Sequence, residues 1–271
     1  MDQYAVVGNP IAHSKSPSIH AYFATQTQQS LTYSTLLGDE VEFEQQVRDF
    51  FQQGGKGLNI TVPFKERAYA MCDILSQRAK QAGAVNTLLM GKNGDLFGDN
   101  TDGIGMVRDI IDNHQVSLKD KRVLILGAGG AVRGVLEPIL SEQPESVTIA
   151  NRTVEKAQAL ADHFDCLASS FDALEGSFDI IINGTSASLS GNLPPLKDEL
   201  IGDQTWCYDM MYGVERTIFL QWAHERGADG ADGLGMLVGQ AAEAFYLWRQ
   251  VRPDSASLVA HMRRQMLTNG Q

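Results

Sequence analysis

Arg122-Val-Leu-Ile-Leu-Gly127-Ala-Gly129-Gly130-Ala131 is an apolar run that empties into a turn of three glycines. Val123 to Leu126 lacks polar alternation, as expected of a parallel strand buried on both faces. A strand, a glycine turn and then a helix set free backbone N–H groups and the positive end of a helix dipole against a bound anion. Glycine suits such a turn because the backbone itself must come close to the ligand. The stretch therefore predicts a Rossmann-like unit, with Gly127, Ala128, Gly129, Gly130 and Ala131 at a pyrophosphate. One position departs from the dinucleotide fingerprint: its third place, usually Gly or Ala, is Val132.

The next strand, Val147 to Ala150, leads into Asn151-Arg152-Thr153. About 20 residues after such a glycine turn an Asp or Glu normally accepts hydrogen bonds from the ribose 2′-hydroxyl, whereas Arg accommodates a 2′-phosphate. Here no carboxylate occupies the strand end. Arg152 offers a planar fork, Thr153 a hydroxyl, and Lys156 a further cation one turn into the following helix. That pairing points to NADP and away from NAD.

Around this unit, 271 residues are enough for two domains of about 150 residues at most, and 43% apolar residues can fill two cores. A net charge of −11 argues against nucleic acid or an anionic membrane as partner, so an anion site has to be a local cluster of cations and amides. Cys72, Cys166 and Cys207 are far apart and read as buried small hydrophobes of a reducing compartment. The start, Met1-Asp2-Gln3-Tyr4, has no signal-peptide character, and no apolar run approaches the roughly 20 residues of a membrane span. The expected location is the cytoplasm. No histidine stands at a ligand spacing, so no metal is expected.

Alternating strand and helix patterns run through the first hundred residues: Tyr4 to Gly8, a helix from Pro17, Thr32 to Leu37, a helix over Val41 to Gln53, Leu58 to Val62, and Ala84 to Met90. Such alternation predicts a mostly parallel sheet. A helix from Thr101 to about Asp112 links to the second alternating unit, which adds strands at Asp179 to Ile182 and Trp206 to Asp209. Gly184 to Leu193, rich in Ser and Gly, reads as a mobile loop. After Gly233, the apolar residues Leu234, Leu237, Val238, Ala241, Ala242 and Phe245 mark a long, one-sided helix, and Pro253-Asp254-Ser255 starts a last one. The expected organisation is an α/β substrate domain over 1–102, a Rossmann-like NADP domain over 103–232, and helices over 233–271 packing back on the first domain, with a cleft between the two domains.

Three polar clusters of the first domain fall at strand ends, where open α/β sheets place ligands. In Asn9-Pro-Ile-Ala-His13-Ser14-Lys15-Ser16-Pro17, Ser16 before Pro17 reads as a helix cap, and two hydroxyls at a helix start suit a carboxylate. In Asn59-Ile-Thr61-Val-Pro63-Phe-Lys65, Thr61 or Val62 ends a strand, Pro63 opens a helix, and Lys65 falls in its first turn. A cation there is electrostatically unfavourable, an arrangement that suits a lysine for proton transfer near neutral pH. Gly98-Asp99-Asn100-Thr101-Asp102-Gly103 supplies caps for the linking helix, and Asn86 ends the preceding strand where it can donate to a hydroxyl.

With these blocks assembled, the chain resembles the shikimate 5-dehydrogenases, NADP-dependent enzymes of the bacterial aromatic pathway, over nearly its whole length. The motifs carrying the resemblance are the segments 8–17, 59–65, Gly83-Ala-Val-Asn-Thr87, 98–103, 127–131, Asn151-Arg152-Thr153 and Asp232-Gly-Leu-Gly-Met-Leu-Val238. The resemblance implies that Lys65 and Asp102 form the catalytic pair and that Ser14 and Ser16 bind the shikimate carboxylate. It implies that Thr61, Asn86, Asp102, Tyr212 and Gln240 contact the ring or its hydroxyls. On the cofactor side it implies the 127–131 turn at the pyrophosphate, Asn151 to Lys156 around the 2′-phosphate, and Met210 and Gly233 near the nicotinamide. Three positions depart from the family pattern: Lys156 where Arg is frequent, Val132 where Ser or Ala is usual, and Gly184 where Ala is common.

The reaction so implied is reversible hydride transfer between NADPH and 3-dehydroshikimate, by a monomer or homodimer acting on small molecules, without nucleic acid, membrane or metal. A quinate/shikimate dehydrogenase using NAD is disfavoured by Arg152. A catalytically silent NADP-responsive regulator on the same scaffold would have no need of Lys65 and Asp102.

Overall fold

In the computed structural model, which describes residues 1–187 and 191–269, the chain gathers into two units. The first holds residues 1–105 and 238–258; the second holds 106–237 and the described residues from 259 on. The stretch after 232, expected to pack as one body on the first domain, is thus shared between the two.

In the first unit, strands β1 (Asp2–Gly8), β2 (Leu31–Leu37) and β3 (Gly57–Ile60) are parallel, joined by helices α1 (Ser16–Gln26) and α2 (Phe43–Gln52). After helix α3 (Lys65–Met71) come a two-residue strand β4 (Ile74–Leu75), helix α4 (Gln77–Ala82), and strands β5 (Thr87–Met90) and β6 (Leu96–Asp99). The sheet order is β2-β1-β3-β5-β6-β4. Only β5 runs against its neighbours β3 and β6, so the sheet is mostly parallel as expected, with one reversal. That reversal brings the start of β5 to the edge where β1, β3 and β6 end.

The local readings are corrected in three places. Helix α2 starts at Phe43 and not Val41, because the Asp39 carboxylate accepts from the N–H groups of Val41 and Glu42 and holds them in a turn. Ser16 is the first residue of α1 and not its cap, since Lys15 takes the cap position. Pro63 does not open α3: β3 ends at Ile60, a turn closes with Phe64 N–H donating to Thr61 O at 3.0 Å, the Val62–Pro63 peptide is cis, and the helix begins at Lys65. Phe64 anchors this turn, fully buried and stacked on Phe43 with centroids 4.5 Å apart.

Helix α5 (Asp102–Arg108) continues as a π-helical turn, Asp109–Asn113, into the second unit. There, β7 (Arg122–Leu126), α6 (Gly130–Ser141), β8 (Ser146–Ala150), α7 (Val154–Phe164), β9 (Leu167–Ser169), β10 (Phe178–Asn183), β11 (Ile201–Asp209), α8 (Ile218–Glu225) and β12 (Asp229–Asp232) follow in sequence. The sheet order is β12-β11-β10-β7-β8-β9, parallel throughout. Val123, Leu124, Ile125 and Leu126 are each fully buried, as the unbroken apolar run required. The order reverses between β7 and β10, and there an open α/β sheet presents its ligand crevice.

Helix α9 (Leu234–Arg249) and helix α10 (Ser255–Asn269) complete the chain. From residue 238 on, α9 lies in the first unit, where Trp248 packs on Tyr4 and donates to Leu88 O, and Glu243 pairs with Arg78. Within that unit a Cβ on Gly105 would lie 2.3 Å from Gln240 N, and one on Gly239 would lie 2.6 Å from Gly105 O. Helices α5 and α9 touch there backbone to backbone, which only glycine permits.

Candidate functional site

Lys65 and Asp102 meet in the first unit. Lys65 Nζ donates to Asp102 Oδ2 at 2.5 Å, with the two side chains 29% and 20% exposed. Each is the first residue of its helix, α3 and α5. A carboxylate at a helix N-terminus is favoured by the dipole and a cation is not, so Asp102 is what holds Lys65 in place. Asn86, 3% exposed at the entrance to β5, donates from Nδ2 to Asp102 Oδ1 at 2.8 Å. Asn100 Oδ1 accepts from Asp102 N–H at 3.2 Å, and Lys65 O accepts from Val85 N–H at 2.9 Å. The loop before β5 is thereby tied to both helix starts.

Thr61 follows β3 and Ser14 and Ser16 follow β1, on the sheet edge where Asn86 immediately precedes β5. Contrary to the expectation from sequence, Asn86 does not end a strand. Ser14 Oγ accepts from Ser16 N–H at 3.3 Å. Because Lys15 caps α1, the Ser16 hydroxyl is not used as a cap. Gln240 lies half-buried on α9 in the same unit. Tyr212 follows β11 in the second unit, 36% exposed, where burial and the nearby Asp232 carboxylate raise its phenol above the ordinary value.

Behind these residues is a polar set that motif reading passed over. Asn59, Thr87 and Thr101 are at most 5% exposed, and Tyr33 donates to Asn59 at 2.7 Å. The available signal was Asn59 itself, a polar residue between Leu58 and Ile60 in a buried strand, where a polar side chain needs partners.

In the second unit a cavity of about 850 Å³ opens at the glycine turn, lined by residues 127–131, Asn151 and Arg152, with Phe171, Thr185, Leu193 and Met211 among the other walls. Gly127 has φ +105°, a conformation open to glycine. At Gly129 and Gly130 nothing lies within 4 Å of where a Cβ would stand, so packing does not require their bareness. Helix α6 starts without a side-chain cap and without an acidic residue in its first turn, which leaves its leading N–H groups for an outside acceptor. Arg152, Thr153 and Lys156 are exposed at the start of α7, and Thr153 makes no side-chain capping bond. Asn151 Nδ2 donates to Thr153 O at 2.9 Å and shapes that turn. A carboxylate that the strand-end reading did not weigh, Glu155, also stands in the first turn. An open cradle of amides beside exposed cations fits a dinucleotide that carries an additional phosphate.

Met210 and Gly233 are placed by packing. Met210 is 6% exposed in the core, and Met211 is the methionine at the cavity wall. A Cβ on Gly233 would lie 2.2 Å from Met210 O. The loop over 184–193 contributes Gly184 to Ala187 and Asn192 to the wall; Ser188, Leu189 and Ser190 lie outside the described residues. Asn183 and Asp209, both fully buried, brace the loops after β10 and β11: Asn183 Oδ1 accepts from Thr185, and Asp209 accepts from Met211 N–H and Thr217 Oγ1. Val132 is fully buried, and its Cγ2 lies 2.4 Å from where a Cβ on Gly184 would stand.

Among the described residues no group of three His, Cys, Asp or Glu side chains can hold a metal ion, and no helix is long and apolar enough to cross a membrane. Burial pushes the Cys72 and Cys207 thiols up to about 12 and Cys166 to about 11, unsuited to nucleophilic roles.

Three family models match the chain: the shikimate dehydrogenase substrate binding domain over residues 6–88, shikimate / quinate 5-dehydrogenase over 109–190, and the shikimate 5′-dehydrogenase C-terminal domain over 233–267. The shikimate dehydrogenase (NADP(+)) of Cellvibrio japonicus is 58% identical, covering 98% of each chain. The crystal structure of an Ael1 enzyme from Pseudomonas putida superposes with a TM-score of 0.93 at 48% identity, over 96% of this chain and 98% of that one. The Thermus thermophilus shikimate 5-dehydrogenase in complex with NADP(H) and shikimate does so with 0.88 at 33%, over 97% and 99%.

Proposed function

The chain belongs to the shikimate dehydrogenase family, and on that premise we propose how its own residues carry out the NADP-dependent interconversion of 3-dehydroshikimate and shikimate. The observation that carries the reading is the Lys65–Asp102 contact at 2.5 Å, buttressed by Asn86. Bound NADPH supplies the hydride. Reduction of the ring ketone builds negative charge on its oxygen, and Lys65 Nζ stabilises that charge and delivers the proton as general acid. Asp102 orients Nζ, and in the reverse direction Lys65 takes the hydroxyl proton back. Ser14 and Ser16 receive the substrate carboxylate, and Thr61, Asn86, Tyr212 and Gln240 contact the ring or its hydroxyls.

The first unit serves as the substrate domain and the second as the cofactor domain. There the 127–131 turn receives the pyrophosphate, Asn151, Arg152, Thr153 and Lys156 surround the 2′-phosphate, and Met210 and Gly233 shape the nicotinamide end from behind the wall. Bare glycines with open space at their Cβ positions support the first of these assignments. The exposed Arg152 supports the second. We place the protein in the cytoplasm, as a monomer or homodimer with no nucleic-acid partner.

The test is purified protein mixed with shikimate or quinate, each with NADP⁺ or NAD⁺, followed by the absorbance of the reduced nicotinamide. Turnover confined to shikimate with NADP⁺ is expected. Comparable turnover with quinate or NAD⁺ would move the chain to the broader dehydrogenase, and binding of NADP⁺ without turnover to a regulator.

A further inference from the structure

We propose that Tyr33, Asn59 and Thr87 are positioning residues that fix the orientation of the Asn86 carboxamide and, through it, hold Asp102 in register with Lys65. The proposal rests on the reading of Lys65 and Asp102 as the catalytic pair. Its evidence is a single file of hydrogen bonds inside the first unit. Tyr33 O–H donates to Asn59 Oδ1 at 2.7 Å; Asn59 Nδ2 donates to Thr87 Oγ1 at 3.1 Å; Thr87 O–H donates to Asn86 Oδ1 at 2.9 Å; Asn86 Nδ2 donates to Asp102 Oδ1 at 2.8 Å. Each hydrogen points toward Asp102, and Lys65 closes on the carboxylate from the other side.

The sense of this file is determined by its chemistry. A carboxamide can rotate and exchange its oxygen for its nitrogen, and either orientation fills the same space. Were Asn86 reversed, Oδ1 would face Asp102 Oδ1, two acceptors without a proton. Thr101 opposes that reversal, donating its N–H and its hydroxyl to Asn86 Oδ1 at 2.9 and 3.1 Å. Thr87 adds a third donor while Asn59 presents Nδ2 to it, and Asn59 is held that way round by Tyr33 on its Oδ1 together with Asn86 O, which accepts from Nδ2 at 3.1 Å. A phenol in this place can donate only one hydrogen, and burial raises Tyr33 well above the ordinary tyrosine value, so it stays protonated. Its ring is clamped against His20, with centroids 4.2 Å apart and planes 8° from parallel. In surroundings this dry, linked hydrogen bonds polarise one another, and a broken member is felt along the file.

The experiment compares Tyr33→Phe, Thr87→Val, Thr87→Ser and Lys65→Ala in the full chain, measuring kcat, KM for each substrate, and the solvent deuterium isotope effect on kcat. Tyr33→Phe should lower kcat about five- to tenfold, the scale of one net hydrogen bond. Thr87→Val should lower it further and Thr87→Ser restore it. KM for NADP⁺ should stay unchanged. The isotope effect should rise in the impaired variants as proton delivery becomes slower. Wild-type kcat and isotope effect in Tyr33→Phe and Thr87→Val, with Lys65→Ala inactive, would overturn the relay and leave the catalytic pair standing. A loss that Thr87→Ser does not rescue, with no change in isotope effect, would reduce the file to a folding role and overturn it as well. An active Lys65→Ala would remove the pair itself, and the relay with it.

Discussion

Val132→Ala and Gly184→Ala, made singly and together, form a cycle whose outcome can be worked from the packing. A Cβ on Gly184 would stand 2.4 Å from Val132 Cγ2, 3.1 Å from Met210 Sδ and 3.3 Å from Leu126 O. The first distance cannot be accommodated without movement. Gly184 does not have positive φ, so the penalty is one of space and not of backbone conformation. Val132→Ala removes two fully buried methyl groups, about 1.6 kcal/mol at ~0.8 kcal/mol each before the cavity term. Gly184→Ala overpacks the same spot, at about 1–3 kcal/mol. In the double variant the new methyl enters the space the valine vacated, so the two costs should cancel by about 1–2 kcal/mol, within the range for residues in contact. Urea unfolding of all four proteins measures this, and the double variant should be more stable than the sum of the singles predicts. Gly184→Ala alone should also raise KM for NADP⁺, because Gly184 backbone atoms lie 3.3 Å from the Cβ position of Gly127 in the cradle. Strict additivity would refute the idea that these two departures from the family pattern compensate each other.

Lys65→Ala should depress kcat by about 10²- to 10⁴-fold, the usual worth of a positioned acid or base, with far less effect on KM, as steady-state kinetics will show. Arg152→Ala should weaken NADP⁺ by about 1–3 kcal/mol and leave NAD⁺ almost untouched; titration with both cofactors reads this directly, and equal losses would remove the 2′-phosphate clamp. His20 supplies an acid-stability prediction. It is fully buried among Phe23, Tyr33, Phe245 and Trp248, and neither ring nitrogen meets a partner at hydrogen-bonding geometry. Burial lowers its pKa from 6.5 to about 3, only partly offset by the neighbouring Asn59. The unfolded chain therefore binds a proton that the fold refuses, so this contribution is intact above about 6.5 and is lost as pH falls toward 3, at up to about 1.4 kcal/mol per pH unit. His20→Phe should flatten that acid limb in denaturant titrations at pH 4 and 7, and an unchanged limb would show that other groups carry it.

The second unit was legible because its signals are local: an unbroken apolar strand, glycines at the turn, and Arg152 at the next strand end each declare themselves within a few residues. The reversal of β5 was not, since a strand's direction depends on its partners and leaves no mark in its own alternation. Pro63 misled for a related reason. Proline's fixed φ suits a helix start and a turn alike, and the Phe64 anchor that decides between them comes from Phe43, some twenty residues earlier. Motif reading found Lys65, Asn86 and Asp102 but not the contacts that pin them, because Tyr33, Asn59 and Thr87 come from three strands whose pairing is a property of the sheet. It named Met210 and passed over Met211, which lines the cavity, since a residue just past a strand end can turn either way.

The distribution of the chain between its two units has a consequence for the order in which a growing chain can be completed. Residues 1–105 leave the ribosome first, yet Trp248 and Glu243, which cover Tyr4 and pair with Arg78, are made only after the whole of 106–237. At synthesis rates of about 5–20 residues per second the early segment waits roughly 7 to 27 seconds for its missing helix. During that interval the ring of Tyr4 and the Arg78 side chain lack those partners, while the parallel sheet begun at β7 already has all of its own strands. The first unit is therefore closed only when residue 258 has been made, and the second takes its last helix, α10 from residue 259 on, after that.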